Sequence, residues 1–213
     1  MKENGTSPCT KVVYMNMSAP VPARLEDASD IQLVQASLEH KEAFTFIMQR
    51  YKDPLRRYIK RLTSFSEDIV DDILQEIFIK AYVHLRDFDQ TLRFSSWLYR
   101  ITHNETVSYF RKNKKHIDAT NALDDDDLHL FASEINIEQE HQSKEFASIL
   151  AVALRELPEH YRAVLVLKFI EGKDYETISD ILQKPPGTVA TWINRAKKEL
   201  RTILIKKGIE TYV

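Results

Sequence analysis

Thr188, Thr191, Arg195 and Lys198 recur at steps of three, four and three, so a helix over this segment lines two hydroxyls and two long cations along one face. Val189, Ile193, Ala196, Leu200 and Ile203 recur at four, three, four and three on the opposite side, an apolar stripe that must be buried. Hydroxyls and cations at the leading end of such a helix are the groups that read base edges and phosphates from the DNA major groove. Between Lys184 and Lys207 seven Lys and Arg face a single acid, Glu199, which suits a polyanion. A solvated amphipathic helix would carry the same stripe, so the pattern alone leaves both readings open. The preceding segment sharpens the choice. Asp174 is placed to cap a short helix with the apolar face Tyr175, Ile178, Ile181 and Leu182. A Pro-Pro-Gly break ending at Gly187 follows, with the second helix expected from Thr188 and Gly187 in the turn, which is helix-turn-helix spacing.

A second concentration of chemistry lies between Arg93 and Lys112. Phe94, Trp97, Leu98 and Ile101 form an apolar face, while Arg100, Asn104, Ser108 and Arg111 fall at four, four and three on another. Lys112, Lys114 and Lys115 follow at once. Two arginines, an asparagine able to bond a base edge and a basic end suit a helix lying along a nucleic-acid backbone. The loop before it, Asp87 to Arg93, is polar with Phe88 and other aromatics nearby, and such a loop can hold an unstacked base. For Trp97, ordinary core packing is the competing reading. A third surface follows from Ser66 to Arg86, where Ile69, Ile73, Ile77, Ala81 and Leu85 make one row with Val70, Leu74, Phe78 and Tyr82 beside it. Asp68, Asp72, Gln75, Glu76 and Ile79 make the opposite stripe, which is acidic and ends in an isoleucine. That combination fits a docking surface for a basic partner helix.

The elements that must position these groups are helices. At 213 residues the chain holds one large or two small domains. Four glycines and little strand-like alternation, beside 43% apolar content, predict an all-α protein with real cores. Expected helices run over residues 30–38, 41–62 (with Pro54 placed to bend it), 66–86 and 93–112. The long one at 41–62 turns Phe44, Ile47, Met48, Tyr51, Leu55, Tyr58, Ile59 and Leu62 to the core. Residues 118–140 contain eight acids and no Lys or Arg, among them Asp124 to Asp127, and have no sustained period. They predict an acidic linker over 116–142. Residues 1–28, with Pro8, Pro20 and Pro22, read as a flexible extension in which Met1, Met15 and Met17 are alternative natural starts. Two small helical domains, 29–115 and 143–213, are expected on either side of the linker, the second containing the helix-turn-helix.

Net charge is only −2, but the charges are blocked. Residues 50–61 hold six cations and one acid, 66–76 five acids and no cation, and 100–115 five cations and one acid. Separate faces for separate partners are the expectation. The one cysteine, Cys9, allows neither a disulfide framework nor a cysteine metal site, which fits a reducing, cytoplasmic compartment. No run approaches the ~18 apolar residues of a membrane span. The seven His are scattered without a second ligand at metal spacing, the four Asp lack the Gly bend of a calcium loop, and no Gly-rich phosphate loop is present. No enzyme activity, metal or cofactor is expected.

Four segments together resemble the extracytoplasmic-function group of sigma-70 family RNA polymerase sigma factors. They are Asp72 to Tyr82, Phe94 to Asn104 with Arg111, Leu154 to Pro158 with Tyr161-Arg162, and Gly187-Thr-Val189 through Asn194 to Lys197. The resemblance covers about residues 30–115 and 145–205 in the family's order. It implies an alternative sigma factor that binds core RNA polymerase and directs promoter recognition, melting and initiation, with a separate anti-sigma factor as a further partner and no covalent chemistry of its own. It implies core contacts at Asp72, Gln75, Glu76, Phe78 and Ile79, with Phe78 acting through packing. Contacts to the melted promoter element nearest the start site fall to Phe88, Arg93, Trp97, Arg100, Asn104, Arg111 and Lys112. Contacts to the upstream, double-stranded element fall to Thr188, Thr191, Trp192, Arg195 and Lys198. Ser108 stands where the family usually has an acid, and Trp192 where a basic residue is common. Two readings of other classes remain at this stage: a helix-turn-helix regulator acting without polymerase, and a helical adaptor with no DNA role.

Overall fold

The computed structural model describes residues 25–63, 65–112 and 144–208, with side chains in the last segment from residue 149 onward. The expected linker, Cys9, Met15, Met17, Lys114 and Lys115 lie outside the described residues. All regular structure among the described residues is helical.

The N-terminal domain has four helices: α1 (Asp30–Glu39), α2 (Phe44–Leu62), α3 (Glu67–Val83) and α4 (Phe94–Lys112). The start of α1 is a capping box, in which Gln32 N–H donates to Ser29 Oγ at 3.4 Å and Ser29 N–H donates to Gln32 Oε1 at 2.8 Å. A single 3-10 turn, Lys41–Ala43, leads into α2, which continues through Pro54. Leu33, Ile47, Leu55, Tyr58, Ile59, Ile77, Phe94 and Leu98 interlock as the core. Regular structure among the described residues extends slightly before the expected boundary at residue 29. Leu25–Asp27 forms a 3-10 turn, Ala28 is buried, and the Ala28 carbonyl accepts from Arg50 at 2.6 Å. The helix expected over 66–86 stops at Val83 and tightens into the 3-10 turn Leu85–Asp87. The tighter turn tucks Leu85 into the core while Val83 stays exposed.

The C-terminal domain comprises α5 (Lys144–Glu156), α6 (Glu159–Leu165), α7 (Tyr175–Leu182) and α8 (Pro186–Lys206). After α6 the chain widens into a π-helical turn, Val166–Ile170, closed by Glu171 N–H donating to the Val166 carbonyl at 3.0 Å. Asp174 caps α7 as expected, its carboxylate accepting from Thr177 N–H at 2.7 Å. Hydrogen bonding from the Thr177 side chain and then from its backbone N–H holds the Asp174 carboxyl below its ordinary range. Val189, Ile193, Ala196 and Leu200 are buried along α8. The stripe then closes on Leu204, and Ile203 is only partly buried, because 3.6 residues per turn carries the face forward.

The turn between α7 and α8 differs from the expectation. Its left-handed residue is Gln183, with φ 53, and Gly187 lies inside the first turn of α8. Two prolines account for the shift. Pro185 precedes the helix and Pro186 opens it, where a missing N–H is harmless and the fixed φ is already helical. Gln183 is held by its own Nε2, which donates to the Asp180 carbonyl at 2.7 Å. The two domains touch: α4 packs along α7, and α2 reaches α6 and the π turn.

Candidate nucleic-acid and partner interfaces

On α8 the expected reading face is present. Thr191, Arg195 and Lys198 are exposed, and Thr188 is half-buried beside them. Neither Arg195 nor Lys198 makes an ion pair among the described residues, so both cations face solvent. Thr191 Oγ1 donates to the Gly187 carbonyl at 2.8 Å, which fixes its rotamer and leaves its lone pairs to accept from a base amine. Trp192 does not share that face. Its ring stands 4.8 Å from His160 on α6, half-buried between helices. Tyr175, expected on the apolar side of α7, is exposed, with Lys168 Nζ 5.1 Å above its ring. As the first residue of a capped helix it has only one turn below it to pack on.

On α4 the sequence-predicted residues divide. Phe88 is buried, with ring centroids 5.3 Å from both Phe94 and Trp97, and Trp97 is half-buried in the same cluster. Phe88 therefore shapes the loop from within and presents no face to a base. Arg100 is half-buried, while Arg93, Asn104, Ser108, Arg111 and Lys112 are exposed. Arg93 donates to Thr177 Oγ1 at 3.0 Å and pairs with Asp174 at 3.3 Å, and Arg111 lies 3.5 Å from Glu159. Asn104, Ser108 and Arg111 line a ≈ 440 Å³ cleft with Lys184 and Trp192 of the other domain. Immediately before Asn104, His103 Nδ1 sits 3.1 Å from Tyr58 Oη. Burial pushes the His103 imidazole down to about 4, with Arg111 adding to the effect, so the ring is neutral at pH 7 and structural.

The third surface is a groove of ≈ 700 Å³ between α2 and α3, lined by Phe44, Met48, Leu74, Phe78, Ile79 and Tyr82 among others. Phe78 is buried, edge-on to Phe44 with centroids 6.5 Å apart, so it acts through packing. Ile79 is 58% exposed, and Asp72, Gln75 and Glu76 are exposed beside it. Met48 and Tyr82, expected in the core, are 40% and 44% exposed and extend the apolar surface together with Val83. Helical period alone does not reveal this, because a groove wall and a core face share the same spacing. The charge blocks also resolve differently from the expectation of wholly separate faces. Arg56 pairs with Glu67 at 3.0 Å and with Asp71, and Lys60 with Glu67 at 2.6 Å. The basic end of α2 lies against the acidic start of α3, and the two blocks partly neutralise each other. On the outer stripe Asp68 and Asp72 make no ion pair among the described residues, and Glu76 only a 3.7 Å contact with Lys80.

A further set of residues joins the domains, of which only Arg162 stands out in the sequence, as part of the segment that carries the resemblance. Glu171 accepts from Arg61 Nη1 and from the Tyr99 hydroxyl, both at 2.6 Å. Buried Arg162 donates to the carbonyls of Leu154, Arg155, Leu157 and, across the boundary, Leu62 at 2.6 Å. Burial pulls the Arg162 guanidinium down to about 10, still charged at pH 7. Partners this far apart in the chain leave no local pattern. Among the described residues no group of three or more His, Cys, Asp or Glu is placed to hold a metal, and no helix is long and apolar enough to cross a membrane.

Family models match the two domains separately: Sigma-70 region 2 over residues 47–116 and Sigma-70, region 4 over residues 147–200. The ECF RNA polymerase sigma factor SigW of Bacillus subtilis is 34% identical over 176 residues, covering 80% of this chain and 93% of that protein. Among solved structures, CnrH in complex with the cytosolic domain of CnrY has a TM-score of 0.61 at 25% identity, covering 83% of this chain and 97% of that one. The sigma factor RpoE of Bartonella quintana, solved with the anti-sigma factor NepR, has a TM-score of 0.55 at 22% identity and shares the fold over 76% of this chain and 96% of its own.

Proposed function

Because the chain belongs to the sigma-70 family, in its extracytoplasmic-function group, we propose that its three surfaces divide the work of transcription initiation among core docking, strand capture and duplex reading. The protein is a sigma factor that associates with core RNA polymerase and directs it to promoter DNA. The regulator and adaptor readings are not favoured, since neither uses both matched regions. The protein performs no covalent chemistry; its task is differential binding, carried out in the cytoplasm where polymerase works.

Residues 29–115 form the polymerase-binding and strand-capturing domain in this assignment, and residues 143–213 the upstream-element domain. Asp72, Gln75, Glu76 and Ile79 meet a basic helix of core polymerase, whose apolar side chains fill the groove beside Ile79. Arg93, Arg100, Asn104, Arg111 and Lys112 hold the melted strand, with Trp97 and Phe88 shaping the loop that receives it. Thr188, Thr191, Arg195 and Lys198 read the upstream duplex, and Trp192 orients α8 by packing on His160. An anti-sigma factor is a further partner, as the fold's occurrence with one suggests.

The observation that carries the reading is the juxtaposition on α3 of an exposed acidic stripe and an apolar groove, neither consumed by packing within the chain. The test is Asp72→Arg with Glu76→Arg. Like-charge repulsion at a contact built for opposite charge should abolish co-elution with core polymerase and leave the helical circular dichroism unchanged. Undiminished co-elution of the double variant would remove the docking assignment.

A further inference from the structure

Met1, Met15 and Met17 stand near the start of the chain, and Met48 is the only methionine among the described residues. Its neighbours on α2, Phe44, Ile47, Tyr51 and Leu55, are all buried, yet Met48 is 40% exposed. A methionine sealed in a core is kept from dissolved oxidants by packing. This one is not.

Met48 also stands where two hollows meet. It lines the ≈ 700 Å³ groove between α2 and α3 and a smaller one of ≈ 290 Å³ at the start of α2, and Phe44, Thr45 and Tyr82 line both with it. The Phe44 and Tyr82 rings stand edge-on with centroids 5.1 Å apart, so the surface around the thioether is largely aromatic. Lys52 lies one helical turn further along, exposed and without an ion pair among the described residues. Residues four apart on a helix are neighbours, so the ammonium can donate to an oxygen added at the sulfur. In the free chain, water and Lys52 therefore satisfy a sulfoxide and the fold tolerates it. A partner that fills the groove with apolar side chains strips that oxygen of water, which costs binding free energy.

We propose that Met48 is an oxidation site through which hydroperoxides control docking: its sulfoxide closes the groove to core polymerase, and reduction reopens it. A lone pair on the sulfur attacks the terminal oxygen of the peroxide, and the S–O bond forms as the O–O bond breaks. The proton of the transferred oxygen passes to the departing one, which leaves as water or an alcohol. The sulfur loses two electrons and the peroxide gains two. The proposal rests on the assignment of the groove to polymerase made above. Its consequence is asymmetric, since the free chain is open to oxidant while a docked partner covers the same thioether.

The test compares two full-length chains, Cys9→Ser and Cys9→Ser with Met48→Leu. The first substitution removes the one thiol, and the second keeps an apolar side chain of similar volume. Met1, Met15 and Met17 are common to both, so their oxidation cancels in the comparison. Each chain is treated with hydrogen peroxide, freed of it, and set to compete with a fluorescent parent for core RNA polymerase. Mass spectrometry of the tryptic peptide Glu42 to Arg50 reads oxidation at Met48, and circular dichroism reads helix content. Peroxide should add one oxygen to that peptide and weaken polymerase binding about tenfold or more with the helix content unchanged. The Met48→Leu chain should stay within about twofold of its untreated affinity. Methionine sulfoxide reductases with dithiothreitol should restore the loss. Core polymerase added before the peroxide should slow oxidation of the peptide several-fold. Full-strength binding by the Met48 sulfoxide overturns the proposal, as does an unoxidised peptide or equal sensitivity of the Met48→Leu chain. Loss of helix on oxidation, or undiminished oxidation within the polymerase complex, overturns it too. An untreated chain that never binds core polymerase sinks the docking assignment and the proposal with it.

Discussion

Replacing Ile79 by Ala tests the docking groove with least disturbance to the fold. Burying a whole isoleucine is worth about 1.5–3 kcal/mol. Ile79 is 58% exposed in the free chain, so roughly that share of the transfer free energy remains for a partner to collect. Alanine keeps the Cβ, which leaves about 1–1.5 kcal/mol to be lost, or roughly a 5- to 15-fold weaker Kd for core polymerase. Because the side chain touches little within the chain, thermal stability should fall by less than about 0.5 kcal/mol. Ile77, two residues away, is the control. It is fully buried, and Ile77→Ala should cost about 2–5 kcal/mol of folding stability while the remaining folded protein keeps its affinity for polymerase. Competition between the unlabelled variants and a fluorescent parent for a limiting amount of core polymerase reads the affinity, and chemical denaturation reads the stability. An Ile79→Ala affinity within twofold of the parent would refute the reasoning, since it would mean that no partner covers Ile79.

On α8, Arg195→Ala should cost ~1–3 kcal/mol at the preferred upstream sequence and relax choice at one or two base pairs. Lys198→Ala should weaken all sequences alike and lower the salt slope by about one counterion; binding-site selection with each holoenzyme distinguishes them. Arg100→Ala and Asn104→Ala should lower open-complex formation, read by permanganate footprinting, more than initial duplex binding; an equal fall in both would leave these residues as phosphate anchors. His103 gives a pH prediction with a definite sign. Its folded pKa of about 4 lies below the ordinary 6.5, so the unfolded chain binds the extra proton and stability falls as pH drops from 6.5 towards 4. His103→Gln should reduce the loss of unfolding free energy between pH 7 and 4.5 by about 2–3 kcal/mol, and an unchanged pH profile would mean the ring is not buried as a neutral group.

Helical class, the order of the helices and the polarity of each face were legible in the residues, because a 3.6-residue period records which side of a helix is buried regardless of what buries it. The stripe of α8 and the acidic face of α3 follow from that local rule, the capping Asp174 follows from its place just before an apolar run, and the packing role of Phe78 is what the resemblance implies. Gly187 does not form the turn, since a glycine advertises conformational freedom whether or not the chain uses it. There the left-handed position fell to Gln183, held by its own side chain, and two prolines started α8 early.

Tertiary structure alone decided which apolar residues form core and which form a groove wall. Met48 and Tyr82 have core spacing, yet the angle between α2 and α3 leaves them exposed. It also decided that the basic run on α2 and the acidic run on α3 partly cancel, and that Phe88 and Trp192 turn to packing. The junction of Arg61, Tyr99 and Glu171 is decided there as well, across as many as 110 residues of chain. Periodicity reports the environment of each helix one turn at a time. A carboxylate's choice between water and a guanidinium depends on how two separately folded domains meet, and no local pattern of residues encodes that.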